Sequence, residues 1–200
     1  MRANTRPDAR ILWEERPRHP VPHWPALLPG LTQRAFLGGL DPADGVEHLF
    51  ARLTATTLAG RPLAEWSDSD LEEFCRRYNV GYVVCWTPAT AERLRRWSLA
   101  ETLVPVREAS DGWLLAIKRT PSFVLKGKAK IIQMDETRIA LADVEPEDGE
   151  LVLSLHHQDG FRVAPSSVTI ERDPDPFDPI PFLRLRLPGP VVRLTLTWGD

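Results

Sequence analysis

Leucine and valine fall at every second position in the last third of the chain. Leu151, Leu153 and Leu155 share one face of an extended segment, as do Leu183, Leu185 and Leu187, and Val192, Leu194, Leu196 and Trp198. Short strands are predicted near Phe123, Ile131, Ile139, Leu151, Phe161, Val168, Leu183 and Val192, with turn clusters such as Glu147-Asp148-Gly149, Gln158-Asp159-Gly160 and Pro188-Gly189-Pro190 between them. That rhythm predicts an antiparallel β-sandwich, jelly-roll-like, over 120–200. With Pro188 to Val191 as a tight turn, Leu187 would oppose Val192 and Leu185 would oppose Leu194 in a hairpin.

The preceding 119 residues follow a different grammar. Arg10 to Trp13 reads as a short strand, and Arg2 to Pro7 resembles the frayed end of a helix with a proline stop. The chain is therefore expected to start mid-element, with upstream sequence removed. Prolines from Pro17 to Pro29 predict an extended, irregular segment. Val46, Leu49, Phe50, Leu53 and Thr57 have helical spacing, which predicts a helix over 46–58. A second helix is marked by a capping box at Ser69-Asp70-Leu71-Glu72, by Arg76 and Arg77 at its far end and by Asn79 as a left-handed cap. Val80 to Trp86 reads as a strand covered on both faces. Thr87-Pro88 opens a third helix, with Thr87 as N-cap, running through Ser98. Strands near Leu103–Arg107 and Trp113–Lys118 flank the hairpin turn Asp111-Gly112. Residues 1–119 thus read as a small α/β region, and the whole chain as α+β.

Composition narrows the function. Hydrophobic residues are 42% and charged residues 26% of the 200, enough for a sizeable core. Twenty-five basic residues are outweighed by 28 acidic ones, so no nucleic-acid partner is expected. No apolar run approaches a membrane span, and Met1 to Arg10 lacks the apolar stretch of a secretory signal. Nineteen prolines and seven tryptophans are both high counts. Most of the tryptophans are expected in the core. Trp24, between His23 and Pro25, is the one expected to be exposed and able to stack on a sugar.

No catalytic constellation emerges. His156 and His157 with Asp159 suggest acid–base chemistry, but neighbours on a strand point to opposite faces, so a solvated or hydrogen-bonded role is expected. No serine sits in a nucleophile elbow, and Gly38-Gly39 lacks the rest of a phosphate loop. Asp173, Asp175 and Asp178 do not have calcium-loop spacing. Prolines around His19 and His23 forbid the helix that would align them on a metal, so neither metal nor cofactor is expected. Cys75 and Cys85 are expected as two buried free thiols, a disulfide being open only in an oxidising compartment. Arg184, Arg186 and Arg193 would share the outward face of the last hairpin, with Arg186 opposite Arg193. Glu171, an acidic glycan or a lipid phosphate could relieve that like-charge pair. Trp24 and the three arginines are the candidate ligand-binding residues.

Three phrases carry a resemblance: Ala9-Arg10-Ile11-Leu12-Trp13-Glu14, Tyr78-Asn79-Val80-Gly81-Tyr82-Val83-Val84, and Leu151 to Val163. Together they resemble the soluble extracytoplasmic C-terminal region of polytopic bacterial membrane proteins of the GT-C glycosyltransferase or YfhO-like type. The resemblance implies a membrane bundle elsewhere in the parent chain as partner, together with a glycan or lipid-linked sugar. It implies a non-catalytic accessory role shaping acceptor access, because the family's catalytic carboxylates lie on membrane-part loops that have no match here. The alternatives are a carbohydrate-binding β-sandwich module and, behind it, a divergent sugar-active hydrolase, which would need paired carboxylates in a cleft.

Overall fold

The computed structural model describes residues 1–15, 27–38, 50–106, 112–135 and 137–199. The chain forms two compact units, Met1–Ser122 and Phe123–Asp200. Strands predominate over helices in it, and most strand pairings are antiparallel.

The first unit is built on a mixed sheet. Strands β1 (Arg10–Trp13), β2 (Phe36–Leu37) and β5 (Val80–Cys85) run parallel, and β7 (Gly112–Ile117) and β6 (Ala100–Val106) extend the sheet antiparallel in the order β2-β1-β5-β7-β6. β5 is buried along nearly its whole length, as its continuous apolar run requires. Ile11 and Trp13 pack with Leu28, Val84 and Leu114, and Trp13 meets Trp86 edge-on with ring centroids 5.2 Å apart. Gly112 is a glycine by necessity, since a Cβ there would stand 2.4 Å from the Trp86 ring. β6 and β7 form the expected hairpin, whose turn lies outside the described residues.

Most of the Pro-rich stretch 17–29 lies outside the described residues, and its last two residues open helix α1 (Leu28–Thr32), with Pro29 in the first turn. No helix forms over the described part of 46–58. There Thr57–Leu58 (β3) pairs with Arg61–Pro62 (β4) across Ala59 and Gly60, both at positive φ. Thr54 Oγ1 accepts the Thr56 and Thr57 amides, a local bond that competes with helix formation, while Leu53 and Leu58 bury themselves. Helix α2 (Asp68–Arg77) begins two residues before the expected start. Ser67 is the N-cap and forms the reciprocal box with Asp70, so Ser69 and Glu72 do not form it. Asn79 takes the left-handed conformation at φ 49, as expected after a helix end. Helix α3 (Pro88–Arg95) follows Thr87, whose side chain makes no cap bond.

In the second unit all eight expected strands form. They are β8 (Val124–Lys126), β9 (Lys128–Met134), β10 (Arg138–Glu145), β11 (Glu150–His156), β12 (Arg162–Ala164), β13 (Thr169–Asp173), β14 (Phe182–Arg186) and β15 (Val191–Thr197). They make two four-stranded antiparallel sheets, β12-β15-β10-β9 and β13-β14-β11-β8. Leu141, Leu194 and Leu196 from one sheet share a single core with Leu151, Leu153, Leu183 and Leu185 from the other. Two layers closing on one apolar interior are compatible with a β-sandwich.

The expected β14–β15 hairpin does not form. β14 pairs with β11 and β13, β15 with β10 and β12, and the chain crosses from one sheet to the other at Pro188-Gly189-Pro190. Val192 is also outside the core, at 84% exposure. Ala142 pairs with outward Arg193, whereas buried Val144 pairs with Val191, so the facing of both strands switches beside Asp143, which sits at φ 50.

The thiols of Cys75 and Cys85 are free and buried. Burial raises each to about 12, so both are protonated at neutral pH and lack the reactive thiolate. A thiol-reactive dye should therefore label the native protein slowly and both cysteines promptly in denaturant. Prompt native labelling would contradict the burial of these side chains.

Candidate functional site

Of the four residues singled out from the sequence, the three described arginines do not share one face. Trp24 lies outside the described residues, as do His19 and His23. Arg184 and Arg186 project from the outer face of β13-β14-β11-β8, whereas Arg193 belongs to the other sheet. Arg186 consequently never opposes Arg193. Its ladder partners are Glu150 and Thr169.

The charges around Arg184 and Arg186 neutralise one another. Arg186 reaches Glu150 at 3.0 Å and Glu171 at 3.1 Å, so Glu171 is the partner that sequence suggested. Arg184 pairs with Asp173, and Lys126 donates to Glu150 at 2.8 Å. The bond from Lys126 holds the Glu150 carboxyl below its ordinary value, with Arg184 and Arg186 adding to it. The bond with Asp173 likewise raises Arg184. These cations are engaged with carboxylates rather than displayed.

A depressed carboxyl contributes stability above its unfolded pKa and loses it as pH falls through the folded value. The second unit should therefore weaken as pH drops below about 4. Glu150→Gln should flatten that acid dependence in urea melts recorded at successive pH values. Parallel profiles for the two proteins would mean that Glu150 contributes nothing to it.

His156 is also engaged. Its Nε2 lies 2.8 Å from Asp178 Oδ2, and the Asp178 carboxylate is fully buried. Asp178 Oδ1 accepts the Ile180 amide and Asp175 Oδ1 accepts those of Phe177 and Asp178. The acidic loop thus folds on its own amides, and the pair fastens it to β11. His157 turns elsewhere, its ring edge-on to Phe161. Among the described residues no group of three or more His, Cys, Asp or Glu is placed to hold a metal ion. A depression of about 510 Å³ borders β9, β10 and β15, but Lys130 at its rim pairs with Asp143 at 2.7 Å and Lys128 with Glu145 at 3.5 Å. Of the six described tryptophans, Trp13 and Trp97 are buried in the core and the other four are half-buried, none of them exposed.

One group that sequence reading passed over lies where an α/β sheet ordinarily binds ligands. β1 has β2 on one side and β5 on the other, all parallel, so the strand order reverses beside β1. Glu14 stands at the carboxyl end of β1 and is completely buried. Its Oε2 accepts the Trp86 amide and, at 3.0 Å, the Thr87 amide, which open helix α3. Its Oε1 accepts the hydroxyls of Thr87 at 2.6 Å and Thr90 at 2.9 Å. A helix N-terminus at a sheet switch point is an anion site, and here the protein's own carboxylate fills it. That also explains why Thr87 forms no cap of its own. The visible signal in the sequence was an acid directly after a buried strand, but its partners are more than 70 residues away.

No family model matches the sequence, and no curated protein or solved structure gives a significant match. No helix among the described residues is long and apolar enough to cross a membrane.

Proposed function

We propose that this chain is a non-catalytic extracytoplasmic accessory region of a membrane glycosyltransferase-like protein, in which it shapes access of the acceptor or glycan. The observation that carries the non-catalytic part is Glu14. The position at which an open α/β sheet would receive an anionic substrate is occupied by a carboxylate with four donors already satisfied. The other eye-catching polar groups, His156, Asp178, Arg184 and Arg186, are likewise engaged with one another or with neighbouring carboxylates. In the membrane-protein part of the reading, the first unit is an α/β spacer. The second is a sandwich whose crossings β10–β11 and β14–β15 interlock, a feature shared by Greek-key and jelly-roll folds.

The test is the complete reading frame from which the chain derives. It should encode many apolar spans ahead of Arg2, and an upstream start with no span would remove the reading. The isolated chain should show no turnover of a lipid-linked sugar donor, and turnover that survives further purification would count equally against it.

A further inference from the structure

The two outer faces of the second unit are charged in opposite styles. On β13-β14-β11-β8 every cation described above is paired. On β12-β15-β10-β9 three arginines have no ion-pair or hydrogen-bond partner for their side chains among the described residues. We propose that this second face binds an acidic oligosaccharide through Arg138, Arg162 and Arg193.

Ladder register places the three side chains together on one side. Arg138 and Arg162 both pair with Thr197, from β10 and β12 on either side of β15. Neighbouring strands are about 4.8 Å apart, which puts those two Cα atoms about 10 Å from each other. Arg193 is on β15 itself, and its inward neighbours Leu194 and Leu196 are fully buried, so it faces outward with Thr195 and Thr197. Arg162 and Arg193 are exposed, and Arg138 Nε is buried without a hydrogen-bond partner. Between them lie the half-buried Thr195 and the exposed Ala164, while Ala140 on the other side of Thr195 is wholly buried. Lys130, on the same face beside Ala142, is already paired to Asp143.

This chemistry selects the ligand. Guanidinium groups recognise carboxylates bidentately, threonine hydroxyls bond to sugar hydroxyls, and the small Ala164 leaves room for a sugar ring beside Thr195. No aromatic side chain lies among these arginines and alanines, so bases would have no stacking platform. The exposed Ile132 and Met134 belong to edge strand β9, and Val192 beside Arg193 is a single exposed valine, so the cationic patch lacks the broad apolar face that a membrane-binding surface buries. The inference does not depend on the membrane-protein reading, because it concerns a face of this chain alone.

Fluorescence anisotropy with a labelled oligogalacturonate, at low ionic strength, tests it on the 200-residue chain. Binding should be saturable and weakened by salt, and absent with a neutral maltooligosaccharide of similar length. The double variant Arg162→Ser/Arg193→Ser should bind at least tenfold more weakly, while Arg96→Ser, at the residue just after helix α3, should bind unchanged. Circular dichroism confirms folding, and if the double variant fails that check, Arg193→Gln alone should still lower affinity several-fold. The proposal is overturned by absent binding, by binding that these substitutions leave intact, or by binding to phosphatidylglycerol vesicles but not to the oligogalacturonate.

Discussion

Glu14→Ala should be among the most damaging single substitutions in the first unit, costing on the order of 3–5 kcal/mol of stability. The side chain contacts no solvent, and its two oxygens serve two backbone amides and two hydroxyls. Truncation leaves those donors buried without an acceptor, and each such loss costs about 1–3 kcal/mol before the site relaxes. It also removes the negative charge from the start of helix α3. Glu14→Gln keeps one oxygen for the two amides, and the threonine hydroxyls can rotate to accept from the new NH2 group. It should therefore cost less, on the order of 1–2 kcal/mol. Urea unfolding of the three proteins checks the ranking, and a Glu14→Ala variant as stable as the parent would show that the carboxylate is dispensable.

Asn79 carries the second large expected effect. It is fully buried at φ 49, immediately between α2 and β5. Its Nδ2 donates to the Asp8 carbonyl at 2.9 Å, and its Oδ1 accepts the Ser122 amide at 2.9 Å and Arg119 Nη1 at 3.1 Å. One side chain thus ties the segment before β1 to the segment that closes the unit. Asn79→Ala loses these bonds and also places a Cβ residue less tolerant of positive φ there, for a total of about 3–4 kcal/mol. Asn79→Gly loses the same bonds but tolerates the backbone, so it should be milder by about 1 kcal/mol. The difference between the two variants isolates backbone strain, and what remains in the glycine variant isolates the side-chain bonds. Equal losses in chemical denaturation would assign no strain to the left-handed conformation.

These two residues illustrate what the sequence made legible. Asn79 was readable as a left-handed cap because that role is local, set by the helix before it and the strand after it. Its bonds to Asp8 and Ser122 were not, since they join segments 71 and 43 residues away. Glu14 is the same case in stronger form, because nothing near it in sequence reveals Thr87 and Thr90. In the second unit, alternation located all eight strands but not their partners. Leu183, Leu185, Leu194 and Leu196 point inward whether Pro188-Gly189-Pro190 is a tight hairpin turn or a crossing between sheets, so parity alone could not choose. The choice decides the surface, because crossing separates Arg193 from Arg184 and Arg186. In the described part of 46–58 the threonine side-chain bonds around Thr54 are a local competitor to the expected helix, which does not form there. The capping box was displaced because Ser67-Asp68-Ser69-Asp70 and Ser69-Asp70-Leu71-Glu72 both carry the pattern, and only the first one forms.

Topology in the living cell puts the proposed role to its most direct test. Alkaline phosphatase fused after Asp200 of the complete gene product folds to an active enzyme only when it is exported. High phosphatase activity, with a green fluorescent protein at the same position left dark, is the expected result. A bright fluorescent fusion and an inactive phosphatase would put these two units in the cytoplasm and contradict an extracytoplasmic accessory region.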